Sequence, residues 1–172
     1  MKHYSVYGPY EVPTKRDGRG RRVVNSQAAR LQSFWKHAGG NSREIGCYVF
    51  GMQHGDSFKP FYIGKTVRQR FERECFQPHK LKHYNEVLAT DKGRRRPVLL
   101  LIRRTRHHGG RPARDIDRME TWLIMQAKSM NHRLKNKSKS VQMWGIAGVI
   151  RSDGGKSTPA ARLLRHAVGI AS

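Results

Sequence analysis

The chain has 172 residues, with 35 Lys and Arg against 12 Asp and Glu and a formal net charge of +23 at pH 7. That length suits one domain with its own core plus short additions. A compact state so charged repels itself unless a polyanion neutralises it, so nucleic acid is the expected partner. No apolar run approaches the roughly 18 residues of a membrane span, and the basic N-terminus lacks a following apolar stretch of secretory type. Cys47 and Cys75 lie far apart without a CxxC partner, which argues against a zinc knuckle or redox pair. A reduced cytoplasmic compartment is expected, with nucleoid association if the protein is bacterial or from a phage.

Residues 1–24 read as an irregular lead-in, "GPYEVP" followed by the basic run "KRDGRGRR". "NSQAARLQSFWKHAGG" carries a cap-like Asn25 or Ser26, apolar Ala28, Leu31 and Trp35, and a Gly-Gly stop, which predicts a helix. "IGCYVFGM" (45–52) is an apolar run bounded by polar residues. "HGDSFKP" has turn chemistry and "FYIG" gives a second short strand, so residues 45–64 predict an antiparallel hairpin. "VRQRFERECF" and "KLKHYNEVLATDK" predict two basic helices, and "VLLLI" a buried strand. A loop, "RRTRHHGGRPAR", leads to a long helix over about 115–130. The tail contains the strand-like "WGIAGVIRS" and a helix opened by "STPAARLL", with Pro159 suited to the first helical position.

Three constellations carry possible chemistry. The Gly-Lys-Thr at 64–66 invites a phosphate-loop reading, yet Lys59 stands where the first glycine of GxxxxGK[ST] belongs. "GGKS" at 154–157 fails likewise, with Ile150 in that place, so a nucleotide cofactor is not expected. On the helix "DIDRMETWLIMQAKSM", about 100° per residue puts Glu120 between Ala127 and Ile124, inside the apolar arc. A carboxylate there must be paired, coordinated or protonated, and a structural pair with arginine is as consistent with the spacing as a functional group. Asp115 and Asp117 fall in the helix's first turn, where they suit the dipole. Alternation places Tyr48 with Phe50, and Tyr62 with Gly64, so both hydroxyls can share one face of the hairpin. Strand tyrosines usually pack. Here Gly46 and Gly64 beside them would weaken the strands unless something approaches the backbone closely.

"GCY" at 46–48, "YIG" at 62–64, an arginine early in the next helix and a glutamate in a later one resemble the GIY-YIG nuclease superfamily over about residues 44–137. The resemblance implies an α+β fold with a small central antiparallel or mixed sheet of three strands, flanked by helices, with helical and irregular terminal extensions. Residues 1–43 would form a basic N-terminal extension with a helix. Residues 138–172 would form a C-terminal extension with a short strand and helix packed on the domain. The family's tyrosines correspond to Tyr48 and Tyr62, its arginine to Arg70 with Arg68 and Arg73 as alternatives, and its metal-binding glutamate to Glu120. Its late asparagine corresponds to Asn136, with Asn131 as a rival, and Lys65 sits where several members carry lysine.

The chain departs from the family at several points. Cys47 replaces the motif isoleucine, and thirteen residues separate "GCY" from "YIG", which predicts a longer hairpin turn. The run from Gly64 to Arg70 is about two residues short. Glu74 stands where a histidine is common, and His79, His83 or Tyr84 could supply that group.

The implied activity is metal-dependent hydrolysis of DNA phosphodiester bonds with one Mg2+ or Mn2+ held by Glu120. Tyr48, its pKa lowered by nearby cations, would take a proton from water, and Arg70 and Lys65 would stabilise charge on the phosphate. Tyr62 would orient water or phosphate, with Asn136 supporting the site. His79, His83, Arg68, Arg73, Arg94, Arg95, Arg96, Arg103 and Arg104 are the candidate nucleic-acid contacts, DNA being favoured over RNA. The alternative is a basic nucleic-acid-binding or ribosome-associated protein that keeps the scaffold without catalysis.

Overall fold

The computed structural model describes residues 4–91, 93–104, 112–136, 146, 149 and 158–169. Its centre is a hairpin of β4 (Gly46–His54) and β5 (Ser57–Thr66), joined by the two-residue turn Gly55-Asp56 with Gly55 at φ +54°. The pair is antiparallel, with Tyr48 opposite Gly64 and Phe50 opposite Tyr62. A bulge follows, since Gly51 pairs with Pro60 and Phe61 is the extra residue. The thirteen residues between the tripeptides therefore lengthen the strands and feed a bulge, and the turn is tight, contrary to expectation. A bulge of this kind adds local twist to an otherwise regular ladder.

Two further strands complete the main sheet. β6 (Arg96–Arg104) lies antiparallel on the other side of β4, and β1 (Tyr4–Glu11) pairs outside β6, giving the order β1-β6-β4-β5. The sheet is thus four-stranded rather than three-stranded. The added strand comes from the segment read as irregular. Gly8, Pro9 and Pro13 hid it, and the structure accommodates the first two in a register shift between Tyr7 and Tyr10. Two short strands, β2 (Thr14–Arg16) and β3 (Arg22–Val24), form a separate ribbon.

Helices cover both faces. α4 (Pro112–Met130) and α5 (Pro159–Ala167) pack with Cys47, Val49, Ile63, Leu100 and Ile102 on one face. α1 (Ala28–Ala38) and α3 (Pro78–Thr90) pack with Tyr48, Phe50, Tyr62, Leu99 and Leu101 on the other. Buried on both sides, β4 and β6 read as continuous apolar runs without alternation. Each large apolar side chain fully buried here contributes about 1.5–3 kcal/mol. The strand expected over 144–152 lies outside the described residues apart from Ile146 and Val149, which are buried in the α4–α5 core.

The segment after β5 differs from expectation. Only α2 (Phe71–Glu74) is helical, a single turn with extended Arg70 before it. Thr66 Oγ1 donates to the Gln69 carbonyl, so Val67–Arg70 bends instead of winding. Among the described residues no helix is long and apolar enough to cross a membrane.

Candidate functional site

The two motif tyrosines come together on the α3 face. Their ring centroids are 6.3 Å apart, and a Cβ built on Gly64 would stand well inside van der Waals contact of the Tyr48 ring and hydroxyl. Gly46 is required for another reason: a Cβ there would strike the Ile102 carbonyl on β6. Both glycines therefore answer a close approach, one of a ring and one of a backbone.

Tyr48 is fully buried, and its hydroxyl has no hydrogen-bond partner among the described residues. Burial pushes its phenol far above the usual tyrosine range, with Tyr84, Cys75, Tyr62 and Glu74 adding in the same direction. This corrects the expectation of a lowered pKa. Lys80 is the nearby cation, 6.0 Å from the Tyr48 ring centroid, but its charge does not offset the burial.

Tyr62 sits nearer the surface, and its oxygen accepts a 3.0 Å hydrogen bond from Lys80 Nζ. The same ammonium lies 3.3 Å from a Glu74 oxygen. Burial pulls the Lys80 pKa down, but the bonds to Tyr62 and Glu74 outweigh it, and the net shift is upward. Lys80 and Glu74 were not foreseen as site residues. The signal was present: Lys80 falls on the stripe of Tyr84, Val87 and Leu88 that α3 buries, where a charge needs a partner. His83 stacks on the Tyr62 ring at 5.2 Å between centroids and 17° between planes. Burial lowers its pKa below the usual 6.5, so the ring is neutral at neutral pH.

Glu120 reaches the hairpin from the opposite side. Lys65, the residue after Gly64, points to the α4 face and donates to Glu120 at 2.8 Å and to Asp117, one helical turn earlier. Asp117 thus serves Lys65 instead of the helix dipole, whereas Asp115 stays in the first turn of α4, buried and 3.9 Å from Arg104. Two carboxylates converge on one ammonium. A Mg2+ that keeps most of its waters and takes one or two carboxylates suits this donor pair. No group of three or more His, Cys, Asp or Glu side chains comes together as a metal cage among the described residues.

The remaining candidates divide between surface and scaffold. Arg68, Arg70, Arg73, His79, Arg94 and Arg96 are exposed, and Arg70 lies 3.8 Å from Glu72. Arg95 pairs with Asp91 at 2.7 Å, and Arg103 bonds Glu44 at 3.2 Å and stacks over Tyr7. Arg104 is nearly buried beside Asp115 and faces inward.

Asn136 clamps Ile63 of β5, accepting from its N–H at 2.8 Å and donating to its carbonyl at 2.6 Å. Asn131 donates to the Pro60 carbonyl at 2.6 Å. Both asparagines act as a substitute neighbour along the free edge of β5, between which Lys135 N–H reaches the Phe61 carbonyl. Comparison with models of known protein families, with curated proteins and with solved structures gives no match for this chain.

Proposed function

We propose that the protein is a metal-dependent endonuclease acting on DNA, with its site wrapped around the C-terminal end of β5. The observation that carries this reading is the buried Tyr48 hydroxyl, without a hydrogen-bond partner among the described residues, directly over Gly64 and beside Tyr62. An unsatisfied buried hydroxyl costs about 1–3 kcal/mol. Because Tyr48 is fully buried, a phosphoryl oxygen or water recovers that cost only when the side chains around the ring move aside.

The raised Tyr48 phenol keeps its proton at neutral pH, so it serves as a hydrogen-bond donor to developing charge and not as the base. Because the Tyr62 oxygen accepts from Lys80, its own proton is directed elsewhere, toward phosphate or water. Neutral His83, stacked on Tyr62, is the group suited to accept the proton of the attacking water. Arg68 and Arg70 follow shortly along the chain, exposed, and supply positive charge for phosphate oxygens, whereas the Lys65 ammonium is held by Glu120 and Asp117. Glu120, with Asp117 beside it, would hold a Mg2+ or Mn2+ ion, which when bound neutralises phosphoryl charge and acidifies a coordinated water. Since the tyrosines and the carboxylates occupy opposite faces of β5, the phosphodiester lies across the strand's edge beyond Ile63.

A second reading has its own support. The opposite placement of the two half-sites and the Lys65–Glu120 ion pair also fit a DNA-binding protein that does not cut. Supercoiled DNA incubated with the protein and Mg2+ or Mn2+ decides between them. Nicking that disappears in Glu120→Ala supports the enzyme; absence of nicking supports the binder, and equal nicking by the variant removes Glu120 as the metal ligand.

A further inference from the structure

Residues 14–24 carry five basic side chains and a single acidic one, and the structure gives them a defined shape. We propose that the β2–β3 ribbon is a DNA-reading element that enters the major groove of a duplex. The inference shares with the proposed function only its partner, DNA, and does not depend on whether the chain cuts.

The tip is built to be rigid. Asp17 Oδ1 accepts the backbone N–H groups of Arg19 and Arg21, each at 2.9 Å, and Oδ2 takes the Arg21 guanidinium at 2.9–3.0 Å. Gly20 N–H bonds back to the Asp17 carbonyl at 2.9 Å, and Arg16 Nη1 reaches the Gly20 carbonyl at 2.7 Å. The one carboxylate of the ribbon is thereby consumed inside the turn. Lys15, Arg16, Arg19 and Arg21 remain exposed around it.

The root is equally fixed. Arg22 Nη1 donates to the Arg95 carbonyl at 2.8 Å, Val24 N–H to Asn85 Oδ1 at 2.8 Å, and Asn25 N–H to the Pro13 carbonyl at 2.8 Å. Val12 and Val24 are buried in the α3-face core. Asn85 lies five residues after Lys80 on α3, about 7.5 Å along the helix axis, so the same helix carries the ribbon and the tyrosine partners. A duplex held by the ribbon is thus brought to the site helix.

Shape selects the partner. Two paired strands have backbones about 5 Å apart, and the B-DNA major groove, about 12 Å wide, admits such a ribbon. The major groove of A-form RNA is deep and too narrow for it. Lys15 and Arg16 on β2 face the groove walls, where phosphates lie, and Arg19 at the tip reaches the base edges.

The test measures binding of the Glu120→Ala protein in EDTA, so that cleavage cannot interfere. A duplex DNA and a double-stranded RNA of the same sequence are titrated by fluorescence anisotropy across a salt series. The expected result is DNA bound at least tenfold tighter than RNA. The triple change Lys15→Ala, Arg16→Ala, Arg19→Ala should weaken DNA binding at least tenfold, erase that preference and reduce the salt slope by about 2, as the two lost phosphate contacts require. Dimethyl sulfate should report protection of guanine N7 that Arg19→Ala alone removes. Equal binding of RNA, a triple variant with full DNA affinity, or N7 protection unchanged in Arg19→Ala would each overturn the proposal. The same triple change made with Glu120 intact, if it still nicks DNA in Mg2+, leaves the nuclease reading intact, and a wild type that binds no DNA removes both.

Discussion

The Tyr48 ring lies against the Cα of Gly64 across the β4–β5 pair, close enough that no side chain fits between them. Gly64→Ala should therefore destabilise the fold by about 1–3 kcal/mol, the usual range for forcing atoms into a filled site. The cost should shrink markedly when Tyr48 is also changed to Ala, because the obstructing ring is gone. A double-mutant cycle in chemical denaturation measures this coupling, and additive effects would show that the strain lies elsewhere.

Lys80 holds Tyr62 and Glu74 together from the buried stripe of α3. Lys80→Met keeps the packing stem and removes the charge, leaving the half-buried Glu74 carboxylate without this cation. We expect a loss of about 1–3 kcal/mol by denaturant titration, at the lower end of that for a broken buried pair. Glu74→Gln in the Lys80→Met background should recover part of it, since no uncompensated carboxylate then remains.

His83 gives a pH dependence with a definite sign. The unfolded chain takes up the proton near pH 6.5, whereas the folded ring, its pKa depressed by burial and by Lys135, His79 and Lys80 against the opposing Glu86, takes it up only at lower pH. The unfolded state binds more protons in that window, so stability contributed by His83 is intact above pH 6.5 and falls as pH drops below it. Thermal melts between pH 7.5 and 5.5 should fall less steeply for His83→Gln than for the wild type. Parallel curves would mean that other groups carry the effect.

Asn136 supplies both bonds that a neighbouring strand would give Ile63. Asn136→Ala should expose the Ile63 amide, read as faster hydrogen exchange at Ile63 with little change at Val49 in the sheet's interior. A loss of about 1–2 kcal/mol is expected for the two bonds together. Unchanged exchange at Ile63 would show that the clamp is not needed at the edge.

Much of this arrangement was legible in the sequence, for physical reasons. The hairpin followed from apolar runs around "HGDS", and the arc containing Glu120 followed from helical spacing on α4. The N-terminal strand β1 was not, because Gly8, Pro9 and Pro13 are turn formers, and only pairing with β6 overrides them. The bulge at Phe61 was equally hidden, since a strand's register depends on its partner. Lys80 looked like one more solvated cation until α3 turned it inward. The separation of Tyr48 and Glu120 onto opposite faces was implicit in the alternation of Gly64 and Lys65 along β5.

Tyr48→Phe tests the central claim most directly, because the two roles of that residue predict opposite effects. The change removes a buried hydroxyl that has no partner among the described residues and leaves the ring over Gly64, so the melting temperature should hold or rise. The same variant should lose nicking of supercoiled DNA by at least a hundredfold if the hydroxyl meets the phosphate. A Tyr48→Phe protein that is stable and nicks as fast as the wild type would contradict the account.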